Sequence, residues 1–316
     1  MDLTDIQMDG RKPVIVWLRR IRMVLSRWQL YALLAPAVVT TLLFHYYPIY
    51  GIQIAFKNYR NSRGIWGSSW VGLKHFQSLF SYVNFDDILR NTISISLYSI
   101  AVFPCAVIFA LMLNEVRNLR FKRGVQMISY APHFISTVVV VSMLQIFMQR
   151  SNGLINNVIA MLGGERIDFL SIPQYFSTIF VWSGVWQNLG WNAIVYIAAL
   201  AGVSAELLEA ARIDGANRLQ IIWHVNLPHI FPTIVTLLII STGSVLSVGF
   251  EKIYLMQNSL NLDASRVIST YVYEMGIENA QLDFATAVGL FNNAVNIAIL
   301  LIVNTVARKI SKISIF

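Results

Sequence analysis

An all-α polytopic membrane protein is the fold class this sequence predicts, and three observations point to it. Of 316 residues, 56% are hydrophobic and only 13% are charged, whereas an average soluble domain is roughly a quarter charged. Six apolar runs, 30–56, 91–114, 125–148, 175–203, 230–251 and 284–307, each reach the roughly 20 residues a helix needs to cross the hydrocarbon. The charges fall between these runs and leave their centres empty.

Ahead of the first run, Val14, Ile15, Trp17, Leu18, Ile21, Val24 and Leu25 alternate with Arg19, Arg20, Arg22 and Arg27. That composition predicts a basic helix lying in the membrane interface, within a cytoplasmic tail over 1–28 that precedes the membrane domain over 29–316. The first run is too long for a signal peptide and no small-residue cleavage site follows it, so it is expected to be an uncleaved anchor. Orientation follows from basic residues in alternate loops. Fifteen Lys and Arg fall in the N-terminal tail, the second-to-third loop, the fourth-to-fifth loop and the C-terminus, against nine in the longer loops of the other side. Both termini are therefore expected in the cytoplasm. Aromatic residues at 45–50 and at Trp66 and Trp70 suit the outer interface, where amphipathic rings settle.

Several classes of activity are disfavoured at once. A net charge of +8 suggests nucleic acid only when basic groups cluster on a soluble surface, and here they flank apolar runs. Ion-coupled transport generally calls for carboxylates inside the membrane, and the runs carry none short of Glu251 at a boundary. No G-x-x-x-x-G-K-[ST] occurs, so the chain is not expected to bind ATP. The single cysteine, Cys105, excludes an intrachain disulfide and a paired-thiolate metal site. The five histidines show no metal-site spacing.

The most informative segment is 204–232. Ser204 reads as an N-cap followed by helix formers with acids early, and Gly215 can turn the chain. A second short helix is expected over 218–225, where Leu219, Ile221, Ile222 and Trp223 recur at helical spacing, before Pro228 and Pro232 mark re-entry into the next run. Ala210, Ala211 and Ala216 keep one face small, so another protein can grip it closely.

The order Glu209, Ala210, Ala211, Asp214, Gly215, Ala216, then Leu227, Pro228 and Pro232 resembles the E-A-A-x-x-D-G-A loop of ATP-binding-cassette importer permeases. The family usually carries Phe where Ile221 stands, a conservative departure. Further stretches, WQLY at 28–31, FHYYPIYGIQIAF at 44–56, WVGLKHF at 70–76, LNEVRN at 113–118, APHFIS at 131–136 and FATAVGLF at 284–291, resemble the LplB-type polysaccharide permeases within the MalF-like carbohydrate-uptake branch. The resemblance covers nearly the whole chain. It implies a type I importer permease (MetI-like) fold with six transmembrane helices in a bacterial cytoplasmic membrane, contacting lipid and no nucleic acid. It also implies a heterodimer with a second homologous permease, two ATPase subunits that hold ATP and Mg, and an extracellular solute-binding protein. The chain would then be a transport subunit without enzymatic activity of its own, cofactor-free and free of metal, its cargo an oligosaccharide or polysaccharide fragment. An amino acid or peptide cargo remains open, and so does a stand-alone channel.

Sugars call for flat aromatic faces and for amide or hydroxyl partners. The fourth run offers Trp182, Trp186, Gln187, Asn188, Trp191, Asn192 and Tyr196, and the sixth offers Asn292, Asn293 and Asn296, as candidates for a substrate pathway. Amides also glue membrane helices together, and tryptophans also pack or anchor at interfaces. Glu251 reads either as a cavity carboxylate or as a solvated helix end.

Overall fold

The computed structural model describes residues 28–243 and 246–311, with side chains described through residue 309. The expected interfacial helix over 14–28 lies outside them but for Trp28. The chain divides after Gln53 into two compact units.

In the first unit, α1 (Trp28–Thr41) runs into a π-helical turn, Leu42–Tyr46, and then the start of a 3₁₀ segment, Tyr47–Phe56, whose last three residues belong to the second unit. Together these 29 residues are long and apolar enough to cross a membrane. The π-turn answers a local problem. Pro48 has no N–H and its ring crowds the preceding turn, so the helix widens just before it, with Tyr47 N–H donating to Leu42 O.

The second unit continues into a small antiparallel ribbon that pairs Lys57 with Trp70 and Asn58 with Ser69. Next come α2 (Phe85–Ala101) and α3 (Pro104–Asn114), one span interrupted at Val102 and Phe103 because Pro104 cannot continue the helical ladder. The run over 125–148, expected as one span, is divided between two helices. α4 (Leu119–Tyr130) and a 3₁₀ turn, Ala131–Phe134, meet α5 (Thr137–Met148) at 100°. Pro132 ends the first helix, and Ser136 starts the second by accepting from Val139 N–H.

α6 (Pro173–Leu200) is the central helix of this unit, packing on α2, α3, α4 and the later α8. Its approach to α4 is close: a Cβ on Gly190 would collide with the Ser129 carbonyl, so glycine is what lets the two backbones meet. Beyond Leu200 the chain bends by 79° into α7 (Ala205–Ile213).

Arg218–Thr242 is a single helical stretch of 25 residues, which corrects both the expected separate helix over 218–225 and the expected span start at 230. A π-turn, Ile222–Asn226, with Leu227 N–H donating to Ile222 O, carries the helix past Pro228 into α8 (Leu227–Thr242), as at Pro48. The span also ends before 251. Gly243 closes it, and Glu251 belongs to a separate short helix, α9 (Phe250–Met256). The last helix, α10 (Leu282–Ser311), agrees with expectation. Among the described residues four helices are long and apolar enough to cross a membrane, and six if each bent pair counts as one span.

Three buried clusters hold the second unit together. Ile95, Phe176, Phe180 and Ile253 join α2, α6 and α9; Ala110, Ala193, Tyr196 and Ile230 join α3, α6 and α8; Leu79, Ile88, Tyr271 and Val288 join α2 to α10. Buried amides staple the connecting segments. Asn91 donates to the carbonyls of Asp263 and Arg266, and Asn156 binds both sides of its own loop through Met148 O, Ile167 O and Ile167 N. An amide left unpaired in such a place costs roughly 1–3 kcal/mol.

Candidate functional site

α7 is built to stand alone. Ser204 caps its N-terminus by accepting from Glu206 N–H at 3.2 Å, and Glu206 supplies the acid in the first turn. The C-terminus closes in a double bond pattern, Ala216 N–H to Ala211 O at 2.9 Å and Gly215 N–H to Arg212 O at 3.1 Å. That closure requires a left-handed residue, and Gly215 supplies it at φ +80°. Immediately afterwards Asn217 and Gln220 cap each other: Gln220 N–H donates to Asn217 Oδ1 and Asn217 N–H to Gln220 Oε1. Both sides of the corner are therefore hydrogen-bonded, which makes it stiff.

The same helix is bare. No residue of α7 is buried; Glu209, Ala210, Asp214 and Gly215 are exposed and Ala211 and Ala216 half-buried. Leu207 is 58% and Ile213 86% exposed, so apolar side chains stand out on it with no cover among the described residues. Leu227 and Pro228 lie at the root of the neighbouring span, half-buried and exposed respectively. There Ile221 is buried, and the buried Asn226 donates weakly to Glu115 at 3.5 Å while its own Oδ1 has no partner among the described residues. Glu115 and Asn226 did not stand out in the sequence as a pair, because 111 residues separate them.

A second feature is a cavity of about 650 Å³ between α6, the α2–α3 junction, α8 and the start of α9. Among the pathway candidates, Asn188, Trp191, Asn192 and Tyr196 line it. Asn188 binds His133 Nδ1 at 2.9 Å and donates to Gly184 O, and Trp191 stacks on His133 with ring centres 4.2 Å apart. Tyr196 is almost wholly packed away, edge-on to Phe103. Trp182 and Trp186 are not among the lining residues. A helix advances about 100° per residue, so these two sit roughly half a turn from Gly184, Asn188 and Trp191. Their i, i+4 stride was visible in the sequence, but it belongs to the other face, where Trp182 Nε1 donates to Tyr98.

The sixth-run amides do not line the cavity either. Asn296 is buried and holds a loop, accepting from Leu246 N–H and donating to Ser247 Oγ; Asn292 is buried with Oδ1 unpartnered among the described residues, and Asn293 is exposed. Gln187, four residues before Trp191 on the same stride, lines it too, and so does Lys252, which was missed as a site candidate. Lys252, read from the sequence as an outer-loop base, is 8% exposed, whereas Glu251 beside it is exposed at the helix start. Nothing in local spacing signals this inversion, because the irregular segment before α9 sets which of the two turns inward.

Residues 79–312 match the family described as the inner membrane component of binding-protein-dependent transport systems. The chain belongs to that family. This permease is 40% identical to the polygalacturonan/rhamnogalacturonan transport system permease protein YteP of Bacillus subtilis strain 168, over 100% of this chain and 97% of that protein. With protein LplB of the same organism it shares 43% identity over 92% of each chain. Among solved structures it is similar to a chain of a bacterial ABC transporter involved in import of the acidic polysaccharide alginate, with a TM-score of 0.86 and 38% identity, covering 92% of this chain and 99% of that one. A chain of a bacterial alginate ABC transporter in complex with an alginate pentasaccharide-bound periplasmic protein matches equally well, at TM-score 0.86 and 38% identity over 93% and 99%.

Proposed function

We propose that this permease is a membrane-spanning subunit of an ATP-driven importer that moves oligosaccharide or polysaccharide fragments handed over by an external binding protein. The observation that carries the reading is α7, a stiffly capped, solvent-exposed helix bearing E-A-A-x-x-D-G-A beyond the end of a membrane helix. Such a helix serves as a lever for a separate ATPase. ATP and Mg would sit on two partner subunits, and hydrolysis would occur there. A second homologous permease would complete the pathway, covering exposed apolar surface such as Ile108 and Met112. Both termini and α7 would face the cytoplasm, in accord with the fifteen-to-nine basic count.

Saccharide cargo is supported by the chemistry of the cavity, where amides of Gln187, Asn188 and Asn192 accompany the Trp191 ring. The names of the similar proteins support it as well. In alternating access, ATP-driven closure of the partner pair would push α7 and reorganise the helices around this cavity. The test is uptake into proteoliposomes carrying the complete importer and its loaded binding protein. Labelled oligosaccharide accumulates only with ATP inside the ATPase compartment and only with the ATPase present. Uptake that persists without the ATPase makes the chain a facilitator, and uptake of amino acid or peptide in place of sugar refutes the cargo.

A further inference from the structure

Lys252 sets a demand on the cargo. Its side chain reaches into the second unit from α9 and is 8% exposed, yet it lines the cavity described above. Its ammonium donates to Phe180 O at 3.0 Å and lies 5.1 Å from the centre of the Phe180 ring. It stands 3.6 Å from where a Cβ on Gly184 would be, so the residue facing it on α6 has no side chain to shield it. An ammonium carries three donors, and one neutral carbonyl takes only one of them. Among the described residues no carboxylate pairs with it; the ion pairs there are His75–Asp283, Arg90–Asp87 and Arg266–Glu274. A withdrawn cation without a counter-ion is costly, and a hydrophobic residue of the same volume would pack there more cheaply.

We propose that Lys252 is the anion-recognising group of the cavity and that the cargo is an acidic, carboxylate-bearing oligosaccharide. The ammonium meets a sugar carboxylate while Asn188 and Asn192 serve the hydroxyls and Trp191 the ring face. The proposal rests on the importer reading given above. It makes Lys252 a specificity-determining residue, since an uncharged sugar leaves the ammonium unpaired in the cavity.

The experiment is uptake of labelled trigalacturonate and of its trimethyl ester into proteoliposomes holding the complete importer, with binding protein saturated by each. The wild-type protein takes up the acid in preference to the ester. In Lys252→Met and Lys252→Gln the acid-to-ester ratio falls about tenfold or more, the size expected for losing one hydrogen bond to a charged group. Exchanging the exposed Lys74 for Gln leaves the ratio unchanged. An equal loss on both sugars in both variants, or an unchanged ratio, overturns the assignment while leaving the importer reading intact. A wild-type importer that prefers the ester overturns it with no variant needed. If the wild-type importer carries neither sugar nor any other oligosaccharide with ATP, the importer reading falls, and the lysine assignment with it.

Discussion

Gly215 sets the corner between α7 and the next span. Its φ of +80° lies in the left-handed region, and nothing stands within 4 Å of a Cβ placed on it. A side chain there would meet strain rather than collision. Gly215→Val is therefore expected to cost on the order of 1–3 kcal/mol locally and to loosen the corner between α7 and the next span. ATP-dependent uptake should be lost with the protein still inserted, whereas Gly215→Asn, which tolerates the left-handed region better, should retain part of it; equal uptake by both variants and wild type would show that the corner need not be stiff. Along α6 the geometry separates two residues that look equivalent in the sequence. Asn188→Ala removes a cavity amide and its partner for His133, so it should reduce sugar uptake severalfold with assembly intact. Trp186→Ala, on the opposite face, should affect uptake less and assembly more. Uptake and co-purification with the ATPase, measured side by side, would expose the reverse order if the wrong face has been assigned.

At the level of elements, α7 distinguishes helix stability from docking. Glu206 occupies the first turn, while Glu209 is one turn further in, and the macrodipole acts mainly on the first turn. Glu206→Lys should cost the helix roughly 0.3–1 kcal/mol; Glu209→Lys should spare the helix and abolish sugar-stimulated ATP hydrolysis through contact with the partner. Normal stimulation in Glu209→Lys would remove that residue from the docking surface. How much of each element could be read from the sequence depended on the kind of signal. α6, α10 and α7 were legible because apolar length, Ser204 and Gly215 are local cues. The 100° break between α4 and α5 was written in Pro132 and Ser136, but a continuous apolar run concealed it. Pro228 and Pro232 misled in the other direction, since a proline normally ends a helix and here a π-turn carries the helix across. The cavity wall was half legible: the amides of α6 could be found by stride, but which stripe faced inward depends on packing against α2, α3 and α8, and Lys252 depends on an irregular segment.

For the whole molecule, orientation joins these parts to a mechanism. Burial of Lys252 takes one residue from the outer count and strengthens the positive-inside asymmetry. In a Cys105→Ser background, an impermeant thiol reagent added to sealed cells should modify a cysteine at Asn61 and spare one at Asn217; the opposite pattern would invert the topology. That orientation would put α7 on the side where ATP is found, and the central claim is that this exposed helix is seated in an ATPase. Its most direct test is a photo-cross-linking amino acid at Ala210, exposed in the middle of α7, in membranes containing the assembled importer. The predicted result is a single dominant adduct with the ATP-hydrolysing subunit, lost in the Glu209→Lys background. Failure to capture that subunit from Ala210 in membranes that still import sugar with ATP would contradict the account.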